Sequence, residues 1–109
     1  MKNTSELRRL FFRHLMSQIG IVWPVISLLL VVIAGLGIVV ARLEGWPLFE
    51  GVYFSFVTGF TIGYGDLAPK GALARVMAIA IGLHGVLLTA LLAAIAVRAL
   101  QAAAEASRT

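Results

Sequence analysis

The feature that most constrains this chain is a run from Ile19 to Ala41 that contains no charged side chain. At about 1.5 Å of rise per residue, a helix of this length crosses the roughly 30 Å hydrocarbon layer of a membrane. The whole chain is similarly apolar, since 61% of its 109 residues are hydrophobic and 13% are charged. We therefore predict an all-α membrane protein whose outer transmembrane helix covers residues 19–41.

A second apolar segment, rich in alanine and leucine, predicts an inner transmembrane helix over residues 72–97. The stretch that follows, residues 98–109, is predicted to be a tail that frays in water. Between the two spans, Pro47 is well placed at the beginning of a short helix that runs from about Leu48 to Gly59. Twelve or so residues reach only about 18 Å, so this helix must enter the membrane and return on the same side.

The amino-terminal segment, residues 1–18, mixes apolar residues with basic ones. This mixture predicts an interfacial helix on the membrane surface, capped by Asn3 with Glu6, and a flexible basic tail is the alternative. Basic residues are concentrated at the two ends of the chain, whereas the connecting region 42–71 is close to neutral. Both termini are therefore predicted to face the cytoplasm, and residues 42–71 to lie outside as a turret, a pore helix and a filter.

The composition excludes several classes of function. The chain has no cysteine, and its two histidines, His14 and His84, are far apart in sequence, so neither a thiolate nor a histidine metal site is expected. The net charge of +4 comes from basic residues beside apolar spans rather than from a basic stripe, which argues against nucleic acid as a partner. We predict no enzymatic activity and no cofactor.

Between the short helix and the second span lies a strip, residues 61–65, that fits neither helix nor strand. Non-helical backbone at membrane depth is tolerated only when it is buried in protein or lines an aqueous path. A stack of backbone carbonyl oxygens can replace the water that a cation loses, and aiming them at one axis requires the positive φ that Gly63 and Gly65 adopt readily. Thr61 adds a hydroxyl, while Ile62 and Tyr64 are predicted to point away from the axis and pack against the short helix. One chain has one such strip, so four copies related by rotation are expected.

Residues 61–66 read T-I-G-Y-G-D, and this motif between two spans resembles the potassium channel family, in its minimal two-transmembrane-helix bacterial form. The resemblance implies K⁺ bound by the backbone carbonyls of Thr61, Ile62, Gly63 and Tyr64, with Gly65 completing the filter. It also implies a homotetramer of this chain with three further copies in a plasma membrane, the bacterial inner membrane, surrounded by lipid. Asp66 and Thr58 match the family's filter support.

Three residues near the strip either depart from the family's pattern or offer further support to the filter. Val57 stands where some bacterial members have a glutamate, and Phe54 where many have a tryptophan that donates a hydrogen bond to the aspartate matching Asp66. These differences put inactivation of the filter in doubt. Tyr53 offers a hydroxyl to the filter surroundings, or else packs as an ordinary aromatic side chain.

On the inner helix, one stripe is predicted to line a water-filled cavity and gate, and it contains Val86, Thr89, Ala93 and Val97. Gly85 falls where the family often has a hinge glycine, and close helix packing is the alternative. His84 points away from the stripe, where it is either a neutral, hydrogen-bonded side chain or a pH sensor.

The predicted function is passive, selective conduction of potassium. Three alternatives remain: a weakly selective cation channel, a subunit of an active potassium transporter, and a non-conducting membrane-assembly subunit. The sequence contains no arginine-repeat voltage sensor, so gating by such a helix is not expected.

Overall fold

A computed structural model describes residues 3–108, and this part of the chain is built from helices and their connections. The helices are α1 (Thr4–Glu44), α2 (Leu48–Gly59) and α3 (Ala72–Ser107). Helices α1 and α3 are both long and apolar enough to cross a membrane, with mean hydropathies of 2.8 and 2.3 in their most apolar windows. Helix α2 has 12 residues and is too short to cross. The prediction of an all-helical chain with two long apolar helices is confirmed.

The amino-terminal part of α1 differs from the prediction. The cap is as expected, because the Glu6 amide donates to Asn3 Oδ1 at 2.8 Å. The helix then continues to Glu44 without a break at residue 18, so no separate surface helix forms, and Pro24 lies well inside the helix. Once a helix is nucleated, each further residue adds a hydrogen bond, and one proline does not outweigh that gain here. Met1 and Lys2 lie outside the described residues.

The carboxyl-terminal part of α3 is also more ordered than predicted. The helix extends through Gln101 and Glu105 to Ser107, where fraying was expected, and the Ser107 hydroxyl donates to the Ala104 carbonyl oxygen at 2.8 Å. Alanine has the highest helix propensity, which accounts for a helix that persists beyond the apolar span. Thr109, the last residue of the predicted tail, lies outside the described residues.

The chain divides into two compact units, and residues 26–89 form the larger one. In this unit α2 packs between α1 and α3. Gly59 of α2 is buried between the side chains of Ile33 and Ile81, which are themselves fully buried. The end of α1 is tied to the start of α3 by Glu44, whose carboxylate accepts the backbone N–H groups of Lys70 and Gly71. The elements on both sides of α2 are therefore fixed to each other as well as to α2.

The second unit consists of residues 3–25 and 90–108. Its part of α3 buries one side chain every four residues, which places them on one face of the helix: Ile95, Ala99, Ala103 and Ser107. The last three of these side chains are small, and small side chains allow helices to approach closely. On another face Leu100 shares a shallow apolar groove with Leu7 and Phe11 of α1.

Candidate functional site

The strip of residues 61–65 begins directly at the end of α2, and carbonyl groups of α2 accept its first three amides. The Thr61 amide donates to the Thr58 carbonyl oxygen at 3.1 Å, and the Ile62 amide donates to the Val57 carbonyl oxygen at 2.9 Å. The Gly63 amide also donates to the Val57 oxygen, at 3.1 Å. The first two bonds are the pattern of a Schellman helix end, in which the residue after the cap is left-handed. The amide edge of the strip is therefore turned towards α2.

Positive φ angles alternate along this strip. They occur at Thr61 (60°), Gly63 (59°) and Gly65 (81°), and Thr61 is the one residue other than glycine with a positive φ in the described part of the chain. The two glycines were expected to adopt this conformation, but the threonine was not. For a residue with a Cβ atom the left-handed region costs about 1–2 kcal/mol.

The side chains that alternate with these positions are exposed in the single chain. Ile62 is 50% exposed and Tyr64 is 70% exposed. The expected packing of both against the short helix is therefore not supplied by α2 of the same chain. Any apolar cover for these two side chains must come from outside the chain.

Asp66, which follows the strip, is held by a side chain of α2. The Tyr53 hydroxyl donates to Asp66 Oδ2 at 3.0 Å, so of the two roles open to Tyr53 the structure favours the polar one. This hydrogen bond to the carboxylate raises the pKa of Tyr53, with desolvation and the charge of Asp66 adding to the effect. Phe54 is buried and stacks edge-on against Trp46, with ring centroids 5.4 Å apart. The donor to Asp66 therefore comes from position 53.

On α3, the residues predicted to line the cavity and the glycine predicted to be a hinge differ in exposure. The side chains of the stripe are exposed in the single chain, and their spacing of three or four residues puts them on one helical face: Val86, Thr89, Ala93 and Val97. Gly85 is buried, and the place where a Cβ atom would stand is occupied by the backbone of Gly59. Of the two interpretations of Gly85, the structure supports close packing. His84 is half-buried, and its Nδ1 donates to the Ala80 carbonyl oxygen at 2.7 Å within the same helix.

Sequence reasoning missed two features around the site. Glu44 caps the backbone at the start of α3, 26 and 27 residues further along the chain, and no local pattern marks such a contact. Gly37 of α1 meets the backbone of Gly51 in α2, and only the clustering of glycines in the two helices could have indicated it. Among the described residues, no group of three or more histidine, aspartate or glutamate side chains could hold a metal ion.

Known proteins similar to this chain give its family. A family model described as "Ion channel" matches residues 19–102, which is most of the chain. A protein of Caenorhabditis elegans, TWiK family of potassium channels protein 7, is 41% identical over 46 residues, which make up 42% of this chain and 8% of that relative. No solved structure matches the chain. The predicted resemblance to potassium channels is confirmed at the level of the family, and the chain belongs to the ion channels.

Proposed function

We propose that this chain is one subunit of a homotetrameric, potassium-selective channel, and that the backbone of residues 61–65 is its selectivity filter. The observation that carries the proposal is the alternation of positive φ angles at Thr61, Gly63 and Gly65. No secondary structure requires this alternation. A filter built from backbone carbonyl groups does require it, since successive carbonyl groups must face the same axis.

The hydrogen bonds of the strip support this reading. In a backbone that alternates in handedness, the amide groups converge on one side and the carbonyl oxygens face the other. The amides of Thr61, Ile62 and Gly63 are all turned to the end of α2. The opposite edge is then free to offer its oxygens to a dehydrated cation, with the Thr61 hydroxyl at one end of the row.

The exposure of the strip supports assembly into a ring. One strip cannot surround an ion, and carbonyl groups left in lipid would each cost several kcal/mol. Ile62 and Tyr64 also need a cover that their own chain does not supply. Four copies around an axis meet both needs, with α2 as the pore helix and its carboxyl-terminal dipole directed at the cation.

The remaining parts of the pore follow from α3 and from the charges. The exposed stripe that contains Val86, Thr89, Ala93 and Val97 would line the cavity and gate, with Thr89 as its polar member. Arginines near both ends of the chain favour cytoplasmic termini, in a bacterial inner membrane or an equivalent plasma membrane. Conduction down a gradient needs no cofactor beyond the ion, and membership of an ion channel family argues for a non-enzymatic function.

Two observations support potassium, rather than another cation, as the ion that the channel conducts. All residues of the T-I-G-Y-G-D motif are present at positions 61–66. The relative that shares 41% identity with this chain is itself named as a potassium channel protein. A weakly selective pore would be expected to depart from the motif at a glycine or at Tyr64.

Ion flux measurements test this proposal. The purified protein is reconstituted in liposomes, and flux is recorded under potassium and sodium gradients with and without barium, while its oligomeric state is measured in the same detergent. We expect a tetramer whose flux is blocked by barium and is potassium-selective by about a hundredfold or more. Equal sodium and potassium flux would overturn the selectivity, and a tetramer without any flux would indicate an assembly subunit.

A further inference from the structure

Helix α2 is held on both sides by contacts between backbones. Near its start, a Cβ atom on Gly37 of α1 would meet the Gly51 carbonyl oxygen and would lie 2.5 Å from Ser55 Cβ. At its end, a Cβ atom on Gly85 of α3 would meet the Gly59 carbonyl oxygen and would lie 2.5 Å from both Gly59 Cα and its carbonyl carbon. Real Cβ atoms do not approach other atoms so closely, so each contact requires glycine.

The contact at Gly85 is local to that residue. Gly82 lies in the preceding turn of α3, and a Cβ atom added there would have no atom within 4 Å. The partner side of the contact is also not crowded, because a Cβ atom on Gly59 would meet Ile33 and Ile81 at 3.5 Å or more, which is ordinary contact. The constraint is therefore the approach of the α3 backbone at Gly85 to the carbonyl group of Gly59.

The carbonyl group of Gly59 lies at the junction between α2 and the strip. On one side of it are the carbonyl oxygens of Val57 and Thr58, which accept the amides of Thr61 to Gly63. A displacement of Gly59 would move these acceptors and turn the peptide planes of the strip, because the amide and carbonyl groups of a peptide plane move together. Gly85 thus acts on residues 61–63 through Gly59.

We infer that Gly85 is a positioning residue for the selectivity filter. The inference rests on the proposed function of residues 61–65. By allowing α3 to stand directly against Gly59, Gly85 sets the position of the end of α2, and with it the direction of the first filter carbonyls. A displacement of α3 at Gly85 relative to Gly59 would therefore reach the filter directly.

The test compares Gly85→Ala with Gly82→Ala. Both substitutions raise the helix propensity of α3 by the same amount, but only the first inserts a methyl group against the Gly59 carbonyl. Two properties are measured on each tetramer: the potassium-to-sodium permeability ratio, and the potassium concentration that gives half-maximal protection against thermal dissociation. For Gly85→Ala we expect the ratio to fall about tenfold and the protecting concentration to rise about tenfold, with Gly82→Ala within twofold of the unmodified protein.

The outcomes separate this inference from the proposed function. If the unmodified protein does not prefer potassium, the proposed function itself fails. If it does, and Gly85→Ala changes only the open probability while both potassium measurements stay within twofold, Gly85 is a hinge and the inference is overturned. Should Gly85→Ala not assemble, four subunits are joined in one polypeptide with the substitution in a single subunit. That channel should still lose selectivity, and an unchanged ratio there would also overturn the inference.

Discussion

Helices α1 and α2 share one hydrogen bond at their carboxyl ends, from an amide to the carbonyl oxygen five residues earlier, but the left-handed residue differs between them. At the end of α1, the Trp46 amide donates to the Ala41 carbonyl oxygen at 2.8 Å, and the left-handed residue in between is Gly45, with a φ of 75°. This is the usual form of a Schellman end, because glycine adopts a positive φ without a steric cost. The chain then turns away and starts the next element at Pro47.

At the end of α2, the same bond joins the Ile62 amide to the Val57 carbonyl oxygen at 2.9 Å, and the left-handed position is held by Thr61. A threonine there costs about 1–2 kcal/mol that a glycine would not. The positive φ angle also recurs further along the chain, at Gly63 and Gly65. The first helix end is therefore followed by a turn to the next helix, whereas the second is followed by a strip in which positive φ angles recur.

The same substitution of glycine by alanine should have very different effects on selectivity after the two helices. Gly63→Ala should abolish potassium selectivity, bringing the potassium-to-sodium permeability ratio down to about one, because alanine resists the positive φ that directs the filter carbonyls. Gly45→Ala is the matched control, since its φ is also positive and a Cβ atom would have open space at either position. It should cost about 1 kcal/mol of stability and leave the ratio unchanged.

Reversal potentials in planar bilayers with potassium on one side and sodium on the other measure this ratio for both variants. A Gly63→Ala channel that keeps its preference for potassium would contradict the assignment of the filter. An equal loss of selectivity in Gly45→Ala would show that the two helix ends are not functionally distinct.

Local patterns were sufficient to predict part of this architecture. Pro47 and the composition after it gave helix bounds that coincide with those of α2, and the glycines at positions 63 and 65 predicted left-handed backbone there. These features are encoded by neighbouring residues, through caps, periodicity and backbone preference. The left-handed conformation of Thr61 was not predictable in this way, because threonine does not favour it and α2 with the strip imposes it.

Contacts between residues far apart in the chain could not be predicted from the sequence, for a different reason. Gly85 and Gly59 are 26 positions apart, and the sequence left both a hinge and close packing open for Gly85. Which side of α3 a small residue faces depends on how the helices pack, and packing is a property of the whole unit. The continuity of α1 is not marked in the sequence, because the change from a basic to an apolar composition suggests a boundary although no residue there ends the helix.

An intermediate effect is expected when Thr61 at the end of α2 is replaced by glycine, the residue that is left-handed at the end of α1. Thr61→Gly relieves the backbone cost and should stabilise the single subunit by about 1 kcal/mol. It also removes the hydroxyl that would be the innermost ion ligand, so potassium should protect the tetramer less, with the half-protecting concentration rising several-fold. Thermal dissociation at a series of potassium concentrations measures both effects. Thr61→Ser, which keeps the hydroxyl, should retain most of the protection, and equal protection in all three proteins would exclude a ligand role for the hydroxyl.

The smallest effect is expected from the bond that holds the outer end of the strip. Tyr53→Phe keeps the ring but removes the hydroxyl that donates to Asp66 at 3.0 Å. This is a single hydrogen bond at an exposed position, so the thermal midpoint of the tetramer should fall by only a few degrees. The permeability ratio should stay within about twofold, because this bond holds Asp66 and not a filter carbonyl.

Asp66→Asn is the complementary variant, since an amide oxygen still accepts the Tyr53 hydroxyl without the charge. If Tyr53→Phe were as damaging to selectivity as Gly63→Ala, Tyr53 would have to be counted as part of the filter itself.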